Sequence, residues 1–246
     1  MLDNIPKIKV LKSSELLAEH LRHEILSDQF PLGSPLPTER ALVEATGLSR
    51  GSVREALRIL ETQGLVETRS GRYGGSTVTQ PSNAMLASHI NLFAKGRGVP
   101  LRSLVKVRQA LEPIVAYLAA QNRSEANLVE LRVISIAMAA ASHTDVAGFL
   151  EANVRWHDAL ARASGNDLLC AMAMSVAGLM FEASQIENFA SLEIRQRVVK
   201  AHDRIRQAIE GQDAEAARVR VERDLRAYAV YLEAAAAAAG IDIVGA

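Results

Sequence analysis

The chain has 246 residues, enough for one large or two ordinary domains with a sizeable core, and its 28 Lys/Arg balance 28 Asp/Glu. Zero net charge removes any bulk electrostatic signal for nucleic acid, so the case for such a partner rests on where individual charges fall. The lone Cys170 excludes a disulfide framework and reads as a small core residue; with no signal-peptide core and no run of about 18 apolar residues, a cytoplasmic chain is expected.

Residues 1–80 are expected to form a first domain. Their charges balance too, ten Lys/Arg against ten Asp/Glu, which weakens non-specific affinity for DNA and shifts weight to a specific site and to dimerisation. Ser13 to Gln29 reads as an amphipathic helix carrying Leu16, Leu17, Leu21 and Ile25, packed behind a helix-turn-helix. Residues 30–35 are a proline-rich turn. Thr38 to Ala45 is a short helix that Gly47 breaks, and Ser49 stands where an N-cap belongs. From Arg50 to Gln63, Val53, Ala56, Leu57 and Leu60 recur at three- and four-residue spacing, which is one helix face, and Gly64 is the stop. Leu65 to Arg69 alternates as a strand. Ser70 to Gly75 is a glycine-loosened tip, and Ser76 to Thr79 returns as the second strand. The order is helix, turn, helix, then a two-stranded wing.

The side of the second helix that the core does not use carries the chemistry. Arg50, Arg54 and Arg58 are spaced by four and stack as a basic stripe. A helix propped by another behind it fits the major groove, where guanidinium groups reach phosphates or the O6/N7 edge of guanine. Arg69 and Arg72 flank the wing tip, where glycines let backbone N–H groups approach a phosphate or a minor groove. Any one of these arginines alone reads equally as a solvated surface residue. The cap, stop and wing in order point to DNA.

At these residues the sequence resembles the winged-helix domain of the GntR family of bacterial transcription regulators. Leu36–Arg40 matches the family's L-P-S/T-E-R start, Ser49–Leu57 its S-R-x-x-V-R-E-A-L, and Leu60–Val66 its L-E-x-x-G-L-V. The resemblance implies DNA contacts from Arg40, from Arg50 and Arg54 on the recognition helix, and from Gly71 with its neighbours. It also implies that Gly51 and Ser52 help set operator preference. The expected DNA-facing set is thus Arg40, Ser49, Arg50, Gly51, Ser52, Arg54, Arg69, Gly71 and Arg72.

Residues 81–100 are expected to be a connector: Pro81-Ser82-Asn83 closes the first domain, then a short helix carries Met85, Leu86, Ile90 and Phe93 up to a break at 95–100. From 101 to 246 there is scarcely a strand signal. Six helices are expected, about 102–122, 124–142, 144–164, 166–187, 191–211 and 213–239, with no fixed repeat, so a compact bundle is favoured over a solenoid.

This half resembles the FCD ligand-binding domain of the FadR subfamily, through residues 101–120, 156–169 and 200–217. The resemblance implies a mainly α protein in which the winged helix-turn-helix precedes an antiparallel all-α bundle with a central cavity. In many members one Asp and three His hold a divalent metal there, and a small carboxylate effector completes the coordination. The corresponding positions in this chain are Asn153, His157, His202 and Asp224, two matched and two exchanged. Asn153 and His157 are four apart and can face one cavity. Two imidazoles and a carboxylate suit zinc, nickel, manganese or iron, one ion per subunit; an amide is a poorer ligand than a carboxylate because it lacks the charge. The metal-free alternative has both histidines hydrogen-bonding a neighbour or the effector. Arg108 matches the family's R-x-x-L-E arginine and is the candidate carboxylate clamp; its alternative is a surface pair with Glu112. Trp156 is expected to point off the face of His157 and pack.

The function expected is a homodimeric transcriptional regulator, a repressor, that binds a palindromic operator under the control of a small organic acid. One alternative is a DNA-binding dimer with a vestigial, metal-free pocket. The other is a metal-dependent enzyme built on the helical domain. No H-E-x-x-H, nucleophile elbow or phosphate loop supports the enzyme, which would also leave the winged helix without purpose.

Overall fold

Local capping decides where the first helices begin and end. In a computed structural model, which describes residues 12–69, 71, 74–186 and 191–239, α1 spans Ser13–Leu26 and α2 spans Glu39–Thr46. The Thr38 Oγ1 accepts the Ala41 N–H at 3.2 Å to start α2, and Gly47 ends it at φ +67°, a left-handed conformation that a side chain would strain. α3 (Arg50–Thr62) starts on the Ser49 hydroxyl, which accepts the Ser52 N–H at 3.1 Å. β1 (Val66–Arg69) and β2 (Gly75–Val78) pair antiparallel, with Val66 opposite Val78 and Arg69 opposite Gly75.

The core of this unit is built from one face of each element. Leu17, Leu21 and Ile25 of α1 meet Val53, Ala56, Leu57 and Leu60 of α3, closed by Val66 and Val78 of the wing. Leu16, grouped in the sequence with the core-facing leucines, is exposed. The buried set is Ser14, Leu17, Ala18, Leu21 and Ile25; with a turn of about 100° per residue these cluster on one side of the helix and Leu16 falls on the opposite side. The proline-rich turn also does more than turn. Leu36 N–H donates to the Ser76 carbonyl at 2.8 Å and Val78 N–H to that of Ser34 at 2.9 Å, so residues 34–36 form an extra edge beside β2 and anchor the wing.

The chain divides between Ser82 and Asn83 into two units. The second holds α4 (Asn83–Gly96), α5 (Leu101–Asn122), α6 (Glu125–Thr144), α7 (Val146–Ala163), α8 (Asp167–Ile186), α9 (Leu192–Glu210) and α10 (Ala214–Ala239). The six helices after the connector end within about two residues of the expected limits. Side-chain caps set several of them: Ser124 with Asn127 opens α6, and the Asp145 Oδ1 accepts the Gly148 N–H at 2.9 Å to open α7. α5 runs through the middle and packs on α7, α8, α9 and α10, while α6 lies on α7 and α9. The connector helix α4 lies along α8 and belongs with this bundle. Phe149, Trp156, Leu160, Leu131, Met138, Ile205 and Ile209 fill the core, and Cys170 is buried at its edge. No described helix is long and apolar enough to cross a membrane.

Candidate nucleic-acid interface and interior cavity

α3 carries a buried stripe and, opposite it, the arginines. Val53, Ala56, Leu57 and Leu60 are buried, whereas Arg50, Arg54 and Arg58 are exposed. Arg54 Nε donates to the Glu39 Oε2 at 2.9 Å, tying the start of α2 to α3. Both side chains are largely in solvent, so the pair is worth no more than about 1 kcal/mol and leaves the guanidinium free to exchange partners. Arg40 of α2 is similarly exposed and pairs with Glu44 at 2.8 Å; Arg69 on β1 pairs with Glu67 at 3.3 Å. The Ser49 and Ser52 hydroxyls lie 3.0 Å apart at the exposed N-terminus of α3. A Cβ at Gly51 would meet only the Ser49 hydroxyl at 3.8 Å, so glycine there keeps the surface low without any packing need for it. At the wing tip, Gly71 sits at φ +116° and its carbonyl accepts the Gly74 N–H at 2.9 Å. Arg72 lies outside the described residues.

The helical unit encloses a cavity of about 370 Å³, and Arg108, Asn153, His157, His202 and Asp224 all line it. Arg108 of α5 forms a buried pair with Glu112 one turn on, through Nε to Oε1 and through Nη2 to Oε2 at 3.2 Å. The pair with Glu112, offered as the surface alternative to a carboxylate clamp, is formed but is interior, with Arg108 8 % and Glu112 7 % exposed. His157 of α7 completes a triad: its Nε2 is 3.1 Å from Arg108 Nη2 and its Nδ1 is 3.3 Å from Glu112 Oε2. One neutral tautomer satisfies both contacts, with Nδ1–H donating to Glu112 and Nε2 accepting from Arg108.

The electrostatics agree with a neutral His157 beside an ionised Glu112. Burial pushes the Glu112 carboxyl up, but the Arg108 charge and the His157 contacts outweigh it and hold the group well below the usual carboxylate range. Burial and the nearby guanidinium hold His157 below its ordinary value against the pull of Glu112. Burial lowers Arg108, and Glu112 more than restores it.

His202 of α9 is almost wholly buried, and Trp156 is the reason for its orientation. The two rings stack at 4.0 Å with 13° between their planes, and the indole N–H donates to the Ser135 Oγ at 3.2 Å. Trp156 does pack, as expected, but against a cavity residue. His157 stands edge-on to His202 at 5.0 Å. His202 Nε2 is 3.6 Å from Asp224 Oδ2 of α10. Two buried polar atoms on this wall, Asn153 Oδ1 and His202 Nδ1, have no hydrogen-bond partner among the described residues. A buried unsatisfied group costs on the order of 1–3 kcal/mol, which a bound group that satisfied these atoms would recover.

Two family models divide the chain. One described as "Bacterial regulatory proteins, gntR family" matches residues 13–74, and the FCD domain model matches 103–227. The chain belongs to the GntR family and carries an FCD domain. Among curated relatives of this GntR–FCD chain is the HTH-type transcriptional regulator LutR of Bacillus subtilis, 33% identical over 198 residues, covering 75% of this chain and 86% of LutR. The Glc operon transcriptional activator of Escherichia coli K12 is 29% identical over 202 residues, 79% of each chain. The galactonate operon transcriptional repressor of the same organism is 26% identical over 214 residues, 84% of this chain and 91% of that one. A solved Streptococcus agalactiae GntR structure shares the fold, with TM-score 0.60 at 24% identity over 88% of this chain and 98% of that one. The protein is a DNA-binding transcriptional regulator.

A resident metal does not fit the GntR–FCD cavity as it stands. A metal needs a ring nitrogen of His157 at about 2.0–2.1 Å. In the tautomer that satisfies both Glu112 and Arg108, the one lone pair left on the ring accepts from Arg108, and a divalent ion there would have to displace a cation held by Glu112. Among the described residues no group of three His, Cys, Asp or Glu side chains is arranged to hold a metal ion. Sequence reasoning places Glu112 and Trp156 outside the site. It also passes over Arg197, Arg204, Arg220 and Arg223, which line the cavity too. The spacing of Arg197 and Arg204 about His202, and of Arg220 and Arg223 before Asp224, is the available signal.

Proposed function

We propose that this regulator is a FadR-subfamily repressor that acts as a homodimer in the cytoplasm. It would grip a palindromic operator with half-sites about one helical turn apart. The arginine stripe supports the DNA half of this reading: Arg50, Arg54 and Arg58 point away from a fully buried face, beside a wing anchored to the same unit. Arg50 and Arg54 would enter the major groove, Arg40 would meet the backbone, and Gly71 with Arg69 and Arg72 would follow the adjacent groove.

The observation that carries the effector half is the pair of orphaned atoms, Asn153 Oδ1 and His202 Nδ1, beside the buried Arg108. An acceptor and an imidazole nitrogen match a hydroxyl, and a guanidinium matches a carboxylate, so the effector is a small hydroxylated organic acid. The relatives' names include a galactonate operon repressor, a sugar-acid system. Arg108, its charge balanced by the buried Glu112, offers guanidinium N–H donors at the cavity wall, and the reading requires no metal. By linkage, an effector that loosens the operator binds the DNA-free dimer tighter by the same factor.

The test is a mobility shift on the DNA upstream of the chain's own gene, titrated with hydroxy acids such as lactate and galactonate, with and without added divalent metal. A hydroxy acid is expected to release the operator without metal, and His202→Ala is expected to bind DNA normally but respond weakly. An unchanged response in that variant removes the cavity from the mechanism; a response that requires metal restores the metal site.

A further inference from the structure

The cavity has two ends of different character. Buried groups on α5, α7 and α9 form an inner wall. Every exposed lining residue belongs to α9 or α10, so the cavity meets solvent between those helices. Four of those five exposed residues are arginines: Arg197, Arg204, Arg220 and Arg223.

Their placement comes from helix geometry. Arg197, Ala201 and Arg204 lie on one face of α9, at i, i+4 and i+7; Arg220, Arg223 and Ala227 lie on one face of α10, at i, i+3 and i+7. Arg197 is compensated by Glu193 at 2.5 Å, and Arg220 donates to the Arg204 backbone carbonyl. Arg204 and Arg223 have no acidic partner among the described residues. Asp224 is the only acidic side chain lining the cavity among the described residues, and it turns toward His202. Elsewhere on the surface both arrangements occur: Arg40, Arg54, Arg69, Arg132, Arg162 and Arg218 each sit on a carboxylate, whereas Arg50, Arg58, Arg97, Arg102 and Arg155 have none among the described residues; what sets Arg204 and Arg223 apart is that they line the cavity. An uncompensated guanidinium pair at the mouth of a cavity focuses field into it and selects anions.

We propose that the effector carries two anionic groups. The first is the carboxylate at the inner wall beside Arg108. The second, a carboxylate or a phosphate, is held at the mouth by Arg204 and Arg223. This rests on reading the cavity as the effector site. It goes further by restricting the ligand to organic dianions, with the inner wall reading the hydroxylated end and the mouth reading the far charge.

The experiment is calorimetric titration of the DNA-free full chain with matched pairs: glutarate against valerate, malate against 3-hydroxybutyrate, and 3-phosphoglycerate against glycerate. The dianion of at least one pair is expected to bind about 10-fold or more tighter than its monoanion. Raising salt from roughly 50 to 500 mM is expected to shrink that ratio, because the mouth is exposed and screened. The double variant R204Q/R223Q is expected to bring the dianion down to the level of the monoanion while leaving monoanion binding within about 2-fold. The first two pairs and the third pair separate a second carboxylate from a phosphate as the outer group. Equal affinities within every pair, or a dianion advantage that survives R204Q/R223Q, overturn the proposal while leaving a monoanion effector at the inner wall intact. Failure of every acid to bind overturns both this proposal and the effector reading beneath it. Circular dichroism melting of R204Q/R223Q checks that the loss is not one of folding, which two exposed side chains on long helices do not control.

Discussion

The surface arginines of the winged unit and the interior Arg108 of the helical unit are used in opposite ways. In the winged unit, Arg40, Arg54 and Arg69 stand in solvent, each resting on one carboxylate from its own neighbourhood. Those pairs are weak, are screened by salt, and break readily when a phosphate arrives. In the helical unit, Arg108 is interior, doubly bound to Glu112 and bridged to His157. A charge buried that deeply is tolerable only while its partners remain. The same residue type is a displaceable contact in one place and a fixed part of the architecture in the other. Burial makes the difference, because it decides whether water can take over from a lost partner.

The largest effect expected from this contrast is in the helical unit. Glu112→Ala leaves Arg108 buried without its counter-charge, at a cost of about 3–5 kcal/mol. Hydrogen exchange, which reads each unit separately, should show lost protection in α5, α7 and α10 and none in α1–α3. The pH dependence carries the same signature. The Glu112 carboxyl is held below its ordinary value of 4.5, so its stabilisation is complete above that pH and is lost as pH falls toward its folded value. His157, held below its ordinary 6.5, begins the decline earlier, because the unfolded chain takes up a proton that the fold resists. Glu112→Gln should flatten the lower part of that acid limb. A limb of unchanged depth in the variant would show that the triad is not what acid breaks.

Arg54→Ala reverses the pattern. The lost Glu39 pair is exposed, so stability should move by less than about 1 kcal/mol. Operator affinity should fall by about 1–3 kcal/mol for each recognition helix, roughly 5- to 150-fold per helix, with the cavity's ligand affinity in the DNA-free protein unchanged. A mobility shift alongside a thermal melt decides it. Full operator affinity in the variant would mean that the stripe on α3 is not the reading surface.

Legibility in the sequence divides along the same line. In the winged unit, the caps Thr38 and Ser49, the stops Gly47 and Gly64 and the four-residue arginine spacing are local signals, and local signals can be read from sequence. The edge contributed by residues 34–36 is not legible, because its partner β2 lies about 40 residues away in the chain. In the helical unit, the helices are legible from period and capping, and the five cavity residues come by resemblance. Their chemistry depends on contacts that no spacing encodes. Glu112 is i+4 to Arg108 whether the pair faces water or the interior, and only the packing of α5 among four other helices chooses the interior. Trp156 is correctly a packing residue, but its partner His202 is 46 positions on. The arginines at the cavity mouth are individually ordinary surface residues until α9 and α10 bring them together.

The smallest effect expected tests whether the winged unit's local signals matter energetically as well as topologically. Ser49 accepts the Ser52 N–H at the exposed start of α3, and its hydroxyl also meets that of Ser52 at 3.0 Å. Ser49→Ala should cost about 1 kcal/mol, the usual worth of an N-cap, with the exchange protection of Ser52 and Val53 falling first. Ser49→Gly should recover most of that loss, since glycine leaves the N-terminal amide groups open to water. The alanine variant should also weaken operator binding beyond its stability loss, because the first turn it loosens carries Arg50 and Arg54. If Ser49→Ala and Ser49→Gly bind the operator equally well while differing in stability, the cap serves the fold alone. The groove is then read by side chains that tolerate a frayed first turn.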